Sequence, residues 1–133
     1  MVPSRIGIQL SDGTIQSSFH KHLGQIVALG RNLESHYDTE EKVSNLISGG
    51  DMFSCWTTKR SVLNSDPLFV DEFGPDYYSN IGFDLPPQTH QDLNEYLTYA
   101  SDNSVHYAYV FSDNSWAAYK LIGESSPRLV TIN

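Results

Sequence analysis

The reactive side chains of this 133-residue chain are its five histidines, its single cysteine and its sixteen carboxylates, and their spacing limits the chemistry open to them. His20-Lys21-His22 sets two imidazoles two residues apart. On an extended strand both would share a face and supply half of a zinc site. Further ligands would have to come from His36, His90, His106 or Asp51, and no spacing fixes that closure. Surface or capping histidines are therefore the plainer reading of His20 and His22. Cys55 stands between Phe53 and Trp56 with no protease-like signature around it, which fits a buried structural thiol better than a nucleophile. Asp66, Asp71, Glu72 and Asp76 cluster, but without the alternating Asp-x-Asp-x-Asp-Gly spacing that wraps calcium. The Gly-x-Ser-x-Gly elbow, the Walker-type phosphate loop and the Gly-x-Gly-x-x-Gly fingerprint are all missing. The expectation is a protein with no catalytic residues and no cofactor.

Charge is laid out unevenly. The net charge is −8, and no Lys or Arg occurs between Ser61 and Tyr119, a stretch that carries Asp66, Asp71, Glu72, Asp76, Asp84, Asp92, Glu95, Asp102 and Asp113. Phosphate binding needs clustered Lys and Arg, so this half argues against nucleic acid and is compatible with a protein partner that has a basic surface. Imitation of DNA by carboxylates is a poor fit, because a duplex presents a charge about every 1.7 Å. From Asp66 to Phe83 the acids are interleaved with Phe69, Phe73, Tyr77, Tyr78 and Phe83. Aromatic anchors supply affinity and carboxylates supply steering, so Asp66, Phe69, Asp71, Glu72, Phe73, Asp76, Tyr77, Tyr78 and Phe83 form the candidate partner-binding set. The competing reading is that the aromatics cover a sheet edge.

The elements that must hold these residues follow from periodicity. Ile6, Ile8 and Leu10 alternate with polar neighbours; Ser11-Asp12-Gly13 makes a turn; Ile15, Ser17 and Phe19 alternate on the way back. From about His22 the period becomes helical through Leu23, Ile26, Leu29, Leu33 and Tyr37, with Gly24 before the helix and Gly30 at a close approach. Asp38 and Glu41 read as a capping box for a short helix carrying Val43, Leu46 and Ile47, stopped by Gly49-Gly50. Asp51 to Thr58 reads as a third strand. Residues 58–88, with four prolines, form an irregular acidic and aromatic loop containing brief strands at Leu68–Val70 and Tyr77–Tyr78. Thr89 with Asp92 caps a third helix, and a hairpin around Ser112–Ser115 with a last strand from Leu129 to Ile132 closes the chain. The expected fold is a single α+β domain, residues 1–133. Its mainly antiparallel sheet has about five to six strands (N-terminal hairpin, central strand, C-terminal hairpin), with about three helices on one face.

The N-terminal fifty residues resemble a group of short uncharacterised proteins of tailed phages and mobile elements. That group carries an SRIGI…DG(S/T)I…HxDG…LG…HY pattern. The matching residues are Ser4-Arg5-Ile6-Gly7-Ile8, Asp12-Gly13-Thr14-Ile15, Phe19, Gly24, Leu29-Gly30, Leu33, His36-Tyr37, Val43, Leu46-Ile47 and Gly50-Asp51, with a looser likeness around Tyr107–Phe111 and Trp116. Where the group has His-Trp/Phe-Asp-Gly-Tyr, this chain has Lys21-His22-Leu23-Gly24-Gln25 and lacks the aspartate, the aromatic ring and the tyrosine. The resemblance implies a phage-encoded accessory protein acting on a host protein in the bacterial cytoplasm. No secretory signal and no run of eighteen apolar residues is present, and an unpaired cysteine fits a reducing compartment. The alternatives are a nucleotide-sequestering homodimer with an intersubunit pocket of Trp56, Tyr residues and Arg60, and a metal-dependent enzyme using His20 and His22.

Overall fold

The computed structural model describes residues 2–55 and 75–132. Among them eight strands form one mixed, mostly antiparallel sheet: β1 (Ser4–Gln9), β2 (Ile15–His20), β3 (Met52–Ser54), β4 (Asp76–Tyr77), β5 (Gln88–His90), β6 (Tyr107–Ser112), β7 (Ser115–Lys120) and β8 (Arg128–Val130). The spatial order is β4-β3-β2-β1-β6-β7-β8, and β5 pairs with the first half of β2. The helices are α1 (Arg31–His36), α2 (Glu40–Ser48) and α3 (Leu93–Asp102). The α+β class is thus correct, with eight strands where five to six were expected. The extra strands are pieces of two or three residues inside the irregular region and beside it, too short to show a period.

The hairpin β1–β2 is as the alternation requires, with Ile6 opposite Ser18 and Gln9 opposite Ile15. Its turn is set by Gly13 at φ +89° and by Asp12, whose carboxylate accepts from the backbone and the hydroxyl of Thr14. The second hairpin turns tighter than expected. Ser112 pairs with Ser115, leaving a two-residue turn in which Asp113 and Asn114 both take positive φ, the geometry that matches strand twist. What periodicity did not reveal is that β1 also pairs with β6, and in parallel, with Ile6 beside Tyr109.

Helices lie on both faces of the sheet, contrary to the one-face expectation. Ile6, Ile8, Tyr109, Phe111 and Ala118 pack against Leu29, Leu33, Val43, Leu46 and Ile47. On the other face Ile15, Ala108 and Val110 pack against Tyr96, Leu97 and Ala100 of α3. The physical reason is that α3 follows β5 on the far side of β2. Its apolar stripe then has only that opposite face to cover.

Local chemistry shifts three helix starts. The stripe from His22 opens with a π-helical turn at Ile26–Gly30 before α1, and Leu23 and Gly24 stay outside it. Thr39, not Asp38, caps α2 by accepting from the Lys42 N–H, while Asp38 pairs with the Lys42 side chain. Asp92, not Thr89, caps α3 by accepting from the Glu95 N–H, because Thr89 is taken up in β5. Met52–Ser54 is the observed part of the third strand, and Arg128–Val130 the last strand. The expected strand at Leu68–Val70 and the end of the third strand lie outside the described residues.

Beneath α3, Gly7 leaves no spare volume. A Cβ there would sit 3.0 Å from Ile15 Cγ2 and 3.1 Å from Tyr96 Cζ. Tyr96 cannot swing away, since its hydroxyl donates to the Tyr109 carbonyl at 2.8 Å. Gly7→Val should therefore destabilise the protein by about 1–3 kcal/mol through overpacking. The urea midpoint should fall at constant m-value; an unchanged midpoint would show that the gap between helix and sheet can dilate.

Candidate functional site

Two clusters of reactive side chains come together in the interior. On the α3 face, Arg5 donates from Nε to Ser17 Oγ at 3.0 Å and from Nη2 to the Ser17 carbonyl at 3.2 Å. Ser17 Oγ is hydrogen-bonded to His90 Nε2 at 2.8 Å. His90 rests against the rings of Tyr96 and Tyr99, and the Arg5 guanidinium lies 5.0 Å from the centroid of Tyr99. A serine within hydrogen-bond reach of a histidine is the separation of a nucleophile and its base. Here Ser17 has no exposed surface and Arg5 is 4% exposed, so no substrate reaches the hydroxyl. Burial, then the nearby Arg5 cation, holds His90 in its neutral form by lowering its pKa. The cluster works as an internal clamp that ties β5 and α3 to the central hairpin.

On the other face, His20 and Cys55 meet. The Cys55 backbone N–H donates to His20 Nε2 at 3.2 Å, and Asn32 Nδ2 donates to the Cys55 carbonyl at 2.8 Å. The residue types are those of a cysteine-nucleophile site, but the electrostatics oppose it. Burial pushes the Cys55 thiol up to about 12 and, with His22 adding to the effect, pulls the His20 imidazole down to about 3. The thiolate and the imidazolium are both disfavoured. The gap lined by His20, Leu23, Leu29, Asn32 and Cys55 has no room for a water. His22 follows the end of β2 and is exposed, so the two imidazoles part: His20 points into the core and His22 to solvent. Among the described residues no three His, Cys, Asp or Glu side chains come together as a metal would need.

The candidate partner-binding residues divide. Asp66, Phe69, Asp71, Glu72 and Phe73 lie outside the described residues, as do Trp56 and Arg60. Asp76 and Tyr77 form β4, antiparallel to β3. Tyr77 is a packing residue: its hydroxyl donates to the Leu46 carbonyl at 2.5 Å, and its ring fills the space over Gly49. Tyr78 stacks on Phe53 with ring centroids 4.0 Å apart, and His22 lies beyond Phe53 at 6.3 Å. Phe83 is 58% exposed, and it is flanked by Ile81 at 61% and Leu85 at 42%.

These three apolar residues stand on a ledge that the backbone holds in place. Tyr78 N–H donates to the Asp51 carbonyl at 3.1 Å, and Asp51 N–H donates to the Leu85 carbonyl at 2.9 Å, so both ends are pinned to one residue. Between them Gly82 takes φ +92°, and the Phe83 N–H returns to the Tyr78 carbonyl at 3.2 Å. The Asp51 side chain fixes the platform to the sheet, accepting from the Phe19 N–H at 2.9 Å on the edge of β2 away from β1, between the stretches that pair with β5 and β3. No family model, curated protein or solved structure matches the chain. Sequence reading named Phe83 and Tyr78 but passed over Ile81, Leu85 and Phe53; the alternation Ile81, Phe83, Leu85 was the available signal.

A groove of about 470 Å³ opens between the two hairpin turns, with Leu10, Phe111, Glu40 and Asp113 among its walls. Its charged lining is carboxylate alone, which repels a phosphate. It therefore gives no support to nucleotide binding at that position.

The buried neutral histidines carry a pH signature. The unfolded chain takes up protons on His20 near its ordinary pKa of 6.5, whereas the folded chain does not until about pH 3. Stability should be full above pH 6.5 and fall as pH drops below it, by about 1.4 kcal/mol per pH unit for one proton, with His90 adding in the same direction. Asp51, whose carboxyl is raised by burial, acts in the opposite sense at more acidic pH. Urea titrations between pH 7 and 5 should show this slope. His20→Gln, which keeps an acceptor for the Cys55 N–H, should reduce it by about one proton's worth, and an unaltered slope would contradict the assignment.

Proposed function

We propose that this chain is a non-catalytic binding protein of the phage-accessory type, which engages a host protein through the ledge at Ile81, Phe83 and Leu85 and the aromatic stack beside it. The observation that carries this reading is the contrast between the two kinds of surface. The Ser17–His90 and His20–Cys55 pairs are closed to solvent, while three large apolar side chains on a pinned segment are open to it. Exposed apolar groups next to one another on a rigid support are what a partner covers, because their ordering cost is already met in the free protein. The acidic, aromatic stretch that runs through Asp66, Phe69, Asp71, Glu72 and Phe73 leads in sequence to this ledge, which agrees with steering by carboxylates toward a basic partner. The resemblance of residues 4–51 to phage and mobile-element proteins supports the bacterial cytoplasm as its setting. In line with that setting, among the described residues no helix is long and apolar enough to cross a membrane.

The test is capture by tagged protein from lysate of a bacterial host, comparing the natural chain with Ile81→Ser/Phe83→Ser. Both side chains are exposed, so the double variant should keep its thermal midpoint within a few degrees and lose the captured protein by about tenfold or more. Equal retention by the natural chain and the variant would remove this surface from consideration.

A further inference from the structure

The ledge and the aromatic stack are contiguous through Tyr78, and together they have a chemistry that specifies more than an apolar partner. Phe53 and Tyr78 stack at 4.0 Å, and the chain's own Lys21 ammonium lies 5.4 Å from the Phe53 centroid. That ring face thus already receives a cation. Arg would suit it better than Lys, because a guanidinium is planar, more weakly hydrated and stacks on aromatic faces. Carboxylates stand around the same surface. Asp84 is exposed between Phe83 and Leu85, Asp76 is half-buried in β4, and Asp51 is near enough to Tyr78 to add to the upward push that burial gives its phenol. The stretch from Ser61 to Tyr119, which carries Asp76 and Asp84, has no Lys or Arg, and the cation at the stack is Lys21.

We propose that this surface binds a protein segment in which apolar residues alternate with or flank arginines, the apolar side chains seating on Ile81, Phe83 and Leu85 and a guanidinium displacing Lys21 from the Phe53–Tyr78 stack. This rests on the binding-protein reading above and names the chemistry of its partner. Each half of the motif answers one half of the surface. An apolar segment without cations leaves the carboxylates unpaired at the rim, and a polybasic segment without apolar groups leaves the ledge wet. Nucleic acid is the wrong macromolecule here, since its phosphates would meet carboxylates.

The probe is a ten-residue peptide alternating Arg with Leu, titrated against the full-length protein by fluorescence anisotropy at physiological salt, with amide chemical shifts followed in parallel. Saturable binding is expected, with shifts concentrated at residues 78–85 and at Phe53. Affinity should fall about tenfold or more when the peptide carries Ser for Leu or Glu for Arg, and again for Ile81→Ser/Phe83→Ser. Asp84→Asn should weaken it and make its salt dependence shallower, while Asp102→Asn, at the far end of α3, should leave it unchanged. Equal binding of the Ser-for-Leu peptide, or an Asp102→Asn effect as large as that of Asp84→Asn, would reduce the interaction to general attraction to an acidic protein and overturn the proposal. Absence of saturable binding would overturn it too. If the Ile81→Ser/Phe83→Ser variant nevertheless loses a captured host protein, the ledge stands as a docking surface and only the arginine chemistry falls. If the variant loses nothing, both readings fall together.

Discussion

The parallel pairing of β1 with β6 is the constraint on which the rest of the structure depends. It places the first strand in the middle of the sheet, hydrogen-bonded to β2 on one side and to a strand a hundred residues later on the other. A strand in that position is covered on both faces. Ile6 and Ile8 are buried toward α1 and α2, and Arg5 and Gly7 are buried toward α3. One face has the apolar residues a core prefers. The other has a guanidinium, which is costly to desolvate unless its donors are used.

The polar cluster on the α3 face follows from that placement. Arg5 gives two hydrogen bonds to Ser17 and lies over Tyr99, and Ser17 passes the link to His90 on β5. Among the described residues no carboxylate comes within ion-pair distance of Arg5; Ser17 takes its donors, Tyr99 takes its face, and Asp51 is near enough to feel its charge. Neutral His90 suits this arrangement, because a second cation beside Arg5 would be repelled. The clamp depends on strands β1, β2 and β5 and on α3 at once, and hence on most of the fold.

Two reactive pairs and three large apolar side chains are placed oppositely with respect to solvent in this fold. The imidazoles of His20 and His90 and the Cys55 thiol are held inside and uncharged, while His22 and His36 face solvent and Ile81, Phe83 and Leu85 are held outside on a pinned segment. Asp51 connects these two worlds. Its backbone fixes both ends of the ledge and its side chain fixes the ledge to β2. The backbone of a segment pinned in this way is held by the chain's own hydrogen bonds.

The local elements were legible from the sequence because they depend on near neighbours. Alternation gave β1 and β2, the three- and four-residue steps gave α2 and α3, and the close approach at Gly30 shows in that a Cβ there would sit 3.2 Å from Ile132 Cγ2. Cap positions were missed by one to three residues, since Asp38 and Thr39, or Thr89 and Asp92, offer equivalent oxygens and only the backbone path chooses between them. The candidate site was half legible: Tyr78 and Phe83 were named, but Tyr77 is a packing residue and Ile81 and Leu85 were overlooked. The sequence by itself determined the element types, the acidic half without Lys or Arg, and the absence of the common catalytic motifs. Tertiary structure alone decided that β1 lies between β2 and β6, that helices cover both faces, that Ser17 meets His90 and His20 meets Cys55, and that the ledge stays uncovered. Those outcomes turn on contacts between residues far apart in the chain, and periodicity records which face of an element is apolar but not what will lie against it.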